Sequence, residues 1–233
     1  MKLLLTNDDG IEAPGLEALR QVADGLGEIL VAAPHEPASG ISHATTTDSP
    51  IRVNAHHPNR YSVEGTPADC VRVALHRHES DFDCVLAGIN DGANLGVDVY
   101  HSGTVAAVRE AAIHGLKAIA VSHYHNRPLE QADWRRAVLW TRPLIEDLLA
   151  QPSLPGQFWN VNLPMPGDTE EPPEVVYCAL DPSPLPLSFR EENELLHYNG
   201  RYSSRPRREN HDVDVCFRGK IAVTVLQVAN GVS

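Results

Sequence analysis

The chain has 233 residues, 42% of them hydrophobic and 21% charged, and its 19 Lys+Arg against 31 Asp+Glu give a formal net charge of −12. That length suits one substantial α/β domain with a small appendage, in an ordinary soluble globular composition. The acidic balance excludes general attraction for nucleic acid or anionic membranes, so any bound phosphate must be held locally, by a metal or by backbone N–H groups.

The first apolar run, LLLT (3–6), predicts a short buried strand, and Asp8 and Asp9 follow it directly in NDDG. A helix is expected next, because Leu16, Leu19, Val22 and Leu26 recur at helical spacing before Gly27. EILVAAP (28–34) reads as a second continuous strand, and residues 35–50 form a long polar loop of the kind that is usually functional or disordered. Residues 51–55 and 60–63 predict a hairpin or two short extensions. Thr66, Pro67 and Asp69 then give the chemistry of a helix start: N-cap, first position and acidic first turn. FDCVLAG (82–88) is a further buried strand that runs into a Gly/Asn-rich loop, and VAAVREAAIHG is an Ala-rich helix. A strand is expected over 117–122, and a helix over 134–150 that Pro143 kinks or divides. FWNVNLP (158–164) is the expected last strand of the series. Beyond it lies a Pro-rich, charged extension, and 213–226 reads as a hairpin with Asp212 and Asp214 at its start.

Strands alternating with helices of this length predict a mostly parallel sheet covered on both faces. Cys70, Cys84, Cys178 and Cys216 are scattered with no CxxC pair, which suggests neither a zinc knuckle nor a disulfide scaffold. No apolar stretch approaches the roughly 20 residues needed to cross a bilayer, and the N-terminal leucines are too few for a signal-peptide core. A cytoplasmic protein is expected.

In an open parallel sheet, ligands bind outside the carboxyl ends of the strands, at a switch point in strand order. Three polar loops fit that place: Asp8–Asp9, Ser39 to Thr47 and Gly88 to Thr104. Together they offer carboxylates, hydroxyls (Ser39, Ser42, Thr45) and amides (Asn90, Asn94), which are hard oxygen donors suited to Mg²⁺, Mn²⁺ or Ca²⁺. A divalent cation would neutralise the adjacent carboxylates; the other reading is a helix cap beside a solvated aspartate. Ser102, Gly103 and Thr104 precede the Ala-rich helix, where they form either an anion site or a plain N-cap. His43 and His101 lie in these loops and are candidates for contact with a substrate. The run RYSSRPRRE (201–209) reads as an exposed arm paired with acidic residues.

TNDDGIEAPG, VAAPHEPASGIS, EGTPADCV, LAGINDGANLG, HSGTVAAVREAA and FWNVNLP occur in this order. Together they closely resemble the SurE family, the stationary-phase survival proteins that act as metal-dependent 5′/3′-nucleotidases. The resemblance runs from residue 1 to about residue 166. It implies a Rossmann-like α/β sandwich with a mostly parallel central sheet and a C-terminal extended arm or β-hairpin. Residues 1–166 would be the phosphatase core, and residues 167–233 an arm that assembles a homodimer or homotetramer. By motif, Asp8, Asp9, Ser39 and Asn90 would hold one divalent cation, Mg²⁺ or Mn²⁺. Asn94, Ser102, Gly103 and Thr104 would face the phosphate of a nucleoside monophosphate. Asp8 and Asp9 would be catalytic, orienting a metal-activated water or taking its proton. The sequence departs from many relatives at Ala38, where they carry a basic residue before the loop serine. The competing readings are a non-catalytic nucleotide-binding or assembly protein and a zinc-dependent deacetylase, which expects a histidine where this chain has Asn7.

Overall fold

Leu3, Leu4 and Leu5 are all fully buried, which consecutive strand residues achieve only when both faces of their sheet are covered. In the computed structural model, which describes residues 1–78, 81–165, 167 and 169–228, the elements are as follows. β1 (Lys2–Thr6), α1 (Pro14–Ala23), β2 (Glu28–Pro34), β3 (Val53–His57), β4 (Arg60–Val63) and α2 (Pro67–Arg77) come first. β5 (Cys84–Asp91), α3 (Gly103–Ile113), β6 (Lys117–His123), α4 (Gln131–Ala150) and β7 (Gln157–Leu163) follow. β8 (Val175–Tyr177), β9 (Phe189–Glu192), β10 (Leu195–Tyr198), α5 (Asp212–Phe217) and β11 (Ile221–Gln227) complete the order.

The central sheet has nine strands in the order β3-β4-β2-β1-β5-β6-β7-β11-β8. From β4 to β7 the neighbours are all parallel. The chain winds outward from β1 through β2 on one side and returns through β5 on the other, so the switch point lies between the carboxyl ends of β1 and β5. Leu3 and Leu5 pack with Leu16 and Leu19 of α1 and Trp140 and Leu144 of α4. Leu4, one step out of phase, packs with Val71 of α2 and Val105 and Val108 of α3. Two helices therefore cover each face, and a doubly wound α/β sandwich results.

Thr66 caps α2 as its sequence suggests: its hydroxyl accepts from the Asp69 amide at 3.1 Å, and the Asp69 carboxylate accepts from the Thr66 amide at 3.0 Å. Of the two arrangements open for this stretch, β3 and β4 form the hairpin. α4 passes through Pro143 as one element and is not divided.

Three expectations are corrected beyond β7. The sheet does not end there, because β11 pairs antiparallel with β7 and parallel with β8. Residues 213–226 are not a hairpin: Asp212 and Asp214 open the helix α5, which leads into β11. A separate hairpin does exist, formed by β9 and β10 away from the central sheet. The arginine run is not wholly exposed either, since Arg205 is only 2% exposed. The boundary expected at residue 166 falls outside the described residues.

Ile221 is fully buried within the core cluster beside Trp159 and Val161. Ile221→Ala should cost about 3 kcal/mol in urea unfolding, with one transition followed by both tryptophan fluorescence and far-UV circular dichroism. A loss under about 0.5 kcal/mol would mean that β11 is not part of the cooperative core.

Candidate active site

β1 ends with its apolar residues committed to the core, and the chain must turn at once. Gly10 makes that turn at a φ of +102°, in the left-handed region that favours glycine. The Asn7 side chain closes the turn by donating to the Gly10 carbonyl at 2.9 Å. Asp8 and Asp9 are thereby held at the switch point.

They line a cleft of about 260 Å³ together with Ser39, Asn90, Asn94, His101 and Ser102, and with Asp91 and Asp98. Six of the eight residues expected at the site thus line one cavity. Gly103 and Thr104 stand immediately behind, in the first turn of α3. The Thr104 hydroxyl donates to Asp8 Oδ1 in a short hydrogen bond. Ser102 caps α3 by accepting from the Val105 amide at 3.0 Å. In that first turn the backbone amides have no intrahelical acceptor and carry the positive end of the helix dipole.

The other loops are fixed from several sides. The Ala38 amide donates to the Asp8 carbonyl at 2.8 Å, which sets Ser39 beside the carboxylates. Asn90 donates through Nδ2 to the Gly92 carbonyl at 2.8 Å, leaving Oδ1 for another partner. Asn94 is 7% exposed, and one of its amide hydrogens goes to Ser122 Oγ at 2.8 Å.

Two of the expected histidines part company. His101 lines the cleft. His43 does not; its Nε2 meets Glu110 Oε2 at 2.8 Å, so it tethers the 35–50 loop to α3. Ser42 likewise leaves the cleft and donates to the Tyr100 carbonyl at 2.6 Å. Asp91 and Asp98 were not anticipated. The Asp91 amide donates to Asp9 Oδ2 at 3.0 Å, and its carboxylate lies 2.7 Å from His125 Nε2. Asp91 had a signal in the sequence, as the carboxylate directly after Asn90; Asp98 had none.

The two adjacent aspartates differ electrostatically. Burial pushes the Asp8 carboxyl up from 3.8 to about 6; the Thr104 hydrogen bond opposes this and the neighbouring Asp9 charge adds to it. Asp9 is also raised by burial, with the Asp91 amide opposing. A carboxylate pair desolvated in this way is costly unless a cation compensates it. Among the described residues no three of His, Cys, Asp and Glu gather as a metal would need from those types alone. A cation here would therefore also use the neutral oxygens of Ser39 and Asn90. Such an all-oxygen set fits a hard cation and does not fit zinc.

Fold and cleft define a doubly wound α/β protein with a carboxylate-lined site at its switch point. The pattern of the family described as "Survival protein SurE" matches residues 3–181, and the chain belongs to that family. A provisionally named 5′-nucleotidase of Nostoc sp. is 48% identical over 230 residues, covering 98% of this chain and 100% of its own. The 5′-nucleotidase SurE of Methylocella silvestris is 39% identical over 236 residues, covering 98% and 94%. Among solved structures, the SurE protein of Aquifex aeolicus superposes with a TM-score of 0.87 at 27% identity, over 100% of this chain and 95% of that one.

A carboxyl whose pKa is higher in the folded state holds its proton more tightly there. Asp8 therefore subtracts stability progressively as pH rises from 3.8 towards about 6. His123 works in the opposite sense: burial lowers its pKa from 6.5 to about 4, so its contribution falls as pH drops through that range. Because the two slopes overlap, the difference between wild type and Asp8→Asn isolates the first. In chelator-treated buffer Asp8→Asn should be more stable by about 3 kcal/mol at pH 7, with the gap closing near pH 4. Adding Mg²⁺ or Mn²⁺ should stabilise only the wild type. A gap independent of pH in thermal unfolding would contradict the burial of an uncompensated charge.

Proposed function

We propose that the protein is a phosphoric monoester hydrolase of the 5′-nucleotidase type, which releases inorganic phosphate from nucleoside monophosphates with a divalent cation, Mg²⁺ or Mn²⁺. The observation that carries this reading is the meeting of two opposite fields in one cleft. A desolvated carboxylate pair ends β1, and the amides opening α3 stand directly against it. The names of the relatives point the same way.

Asp8, Asp9, Ser39 and Asn90 would hold the cation, which when bound supplies Lewis acidity towards a phosphoryl oxygen and an attacking water. The chain's own groups do the positioning. Thr104 occupies Asp8 Oδ1 and the Asp91 amide occupies Asp9 Oδ2. The remaining oxygen of each carboxylate is then the one to orient the attacking water and accept its proton. Ser102, the Gly103 and Thr104 amides and the second amide hydrogen of Asn94 face the phosphoryl group. They stabilise charge that grows on its oxygens, and being fixed already they need no reorganisation.

Residues 1–166 would supply this chemistry, and residues 167–233 assembly into a homodimer or homotetramer. The β9–β10 hairpin supports the second half of that division. It exposes Phe189, Leu195, Leu196 and Tyr198, and a lone two-stranded hairpin is marginal without cover. The cytoplasm suits four free cysteines, and among the described residues no helix is long and apolar enough to cross a membrane.

After chelation, phosphate release from 5′-AMP and 3′-AMP should be absent, return with Mg²⁺ or Mn²⁺, and fall at least about 100-fold in Asp9→Asn. No release with any cation would favour nucleotide binding without turnover. For the assembly, Leu196→Asp should lower the mass measured by light scattering to that of one chain; an unchanged mass would remove the hairpin from the contact.

A further inference from the structure

Asp98 lies in the short 3₁₀ turn Gly96–Tyr100, between Asn94 and Ser102, and it ties the two ends of that loop together. Its carboxylate accepts from the Leu95 amide at 3.2 Å. Its carbonyl accepts from the His101 and Ser102 amides at 2.9 and 3.0 Å. Yet Asp98 is not held by the loop alone. Arg205 Nη1 donates to the same Oδ2 at 2.6 Å, and the Tyr202 hydroxyl donates to it at 2.5 Å. The Arg205 side chain has no exposed surface, and its guanidinium sits 5.0 Å from the Tyr202 ring centroid. A cation buried this deeply against one carboxylate is retained at a desolvation cost, and removing it would leave Asp98 uncompensated.

We propose that Arg205, with Tyr202, is a positioning residue for the phosphate-binding loop: it fixes Asp98 from behind and thereby sets the spacing between Asn94 and Ser102. The segment that carries it follows directly on the β9–β10 hairpin, so the C-terminal region acts on the site as well as on assembly. A second tie from that region has the same target, because Asp212 Oδ2 accepts from the Gly96 amide at 2.6 Å. The reading deepens the hydrolase assignment and rests on it only for its kinetic part.

Arg205→Met, Arg205→Lys and Tyr202→Phe should be compared with wild type by amide hydrogen exchange and by turnover of 5′-AMP with Mn²⁺. In Arg205→Met, exchange across residues 94–102 should quicken at least tenfold while peptides from β1 and β5 keep wild-type rates. The kcat should fall at least tenfold with KM changed less than threefold, and Arg205→Lys should recover part of it. Tyr202→Phe, which removes only a hydroxyl, should shift both readouts the same way by a smaller amount, and decides the question if Arg205→Met does not fold. Unchanged exchange in the loop, or an equal rise throughout the sheet, would overturn the proposal. If the wild type releases no phosphate, the hydrolase assignment fails by itself, and the exchange result still decides whether Arg205 positions the loop.

Discussion

A Cβ on Gly103 would lie 2.8 Å from the Cβ of Asp8, a separation that real side chains do not tolerate, so only glycine lets the first turn of α3 come down onto the end of β1. That approach brings the Thr104 hydroxyl within reach of Asp8 and removes Asp8 from water, leaving it 4% exposed. Asp9, one residue on, faces outward and is only partly buried. The bend after β1 thus gives two adjacent carboxylates different surroundings. Different surroundings move their proton affinities apart, and that is how two like groups can take unlike roles. Asp8 is fixed and desolvated against the helix, whereas Asp9 is nearer the solvent and steadied by the Asp91 amide.

The 35–50 loop has no regular secondary structure, yet it is pinned at several points. Thr46 donates to Asp69 through its amide and its hydroxyl, at 3.0 and 2.7 Å. Thr66 donates to the Ala44 carbonyl at 2.7 Å. Asp69 therefore serves the N-terminus of α2 and the loop at once, which explains a fully buried carboxylate at a helix start. Glu110 gathers His43 on one side and His114 on the other; the His43 contact is the main influence holding its carboxyl below the usual range. The loop that carries Ser39 is consequently tied at Ala38, Ser42, His43, Ala44 and Thr46.

Much of this was legible in the sequence because the signals were local. The runs of β1, β2 and β5 are continuously apolar over Leu3–Leu5, 29–34 and 84–89, as two-sided burial requires, and the Thr66-Pro67-Asp69 start depends on neighbours three residues away. The site residues were legible for the same reason: each lies where an apolar run gives way to short polar side chains. Illegibility began where distant residues decide. VDVCF alternates like a strand, but α5 is settled by packing on Leu95 and Tyr124 and by Arg218 reaching back to Asp214 at 3.1 Å. β11 finds its place between β7 and β8 through long-range pairing that its own pattern does not specify. Arg205 looked like one more charge in an exposed run. Its burial is set by Asp98, 107 positions earlier, and no window of sequence contains both.

A net charge of −12 opposes an approaching phosphate ester, and the carboxylates of the cleft sharpen that opposition at contact. At physiological ionic strength, however, the field of exposed charges is screened over about 8 Å, so the decisive terms are those inside the cleft. Within it stand Asp8, Asp9, Asp91 and Asp98. Arg205 is paired with Asp98, and His125 Nε2 lies 2.7 Å from Asp91. Asp8 and Asp9 have hydrogen-bond donors but no cationic side chain paired with them among the described residues. Asp8 and Asp9 are thus met by hydrogen bonds alone among the described residues, and that imbalance is what a divalent cation would correct. The amides of α3 can then meet an anion whose repulsion by the carboxylates has been cancelled at the same place.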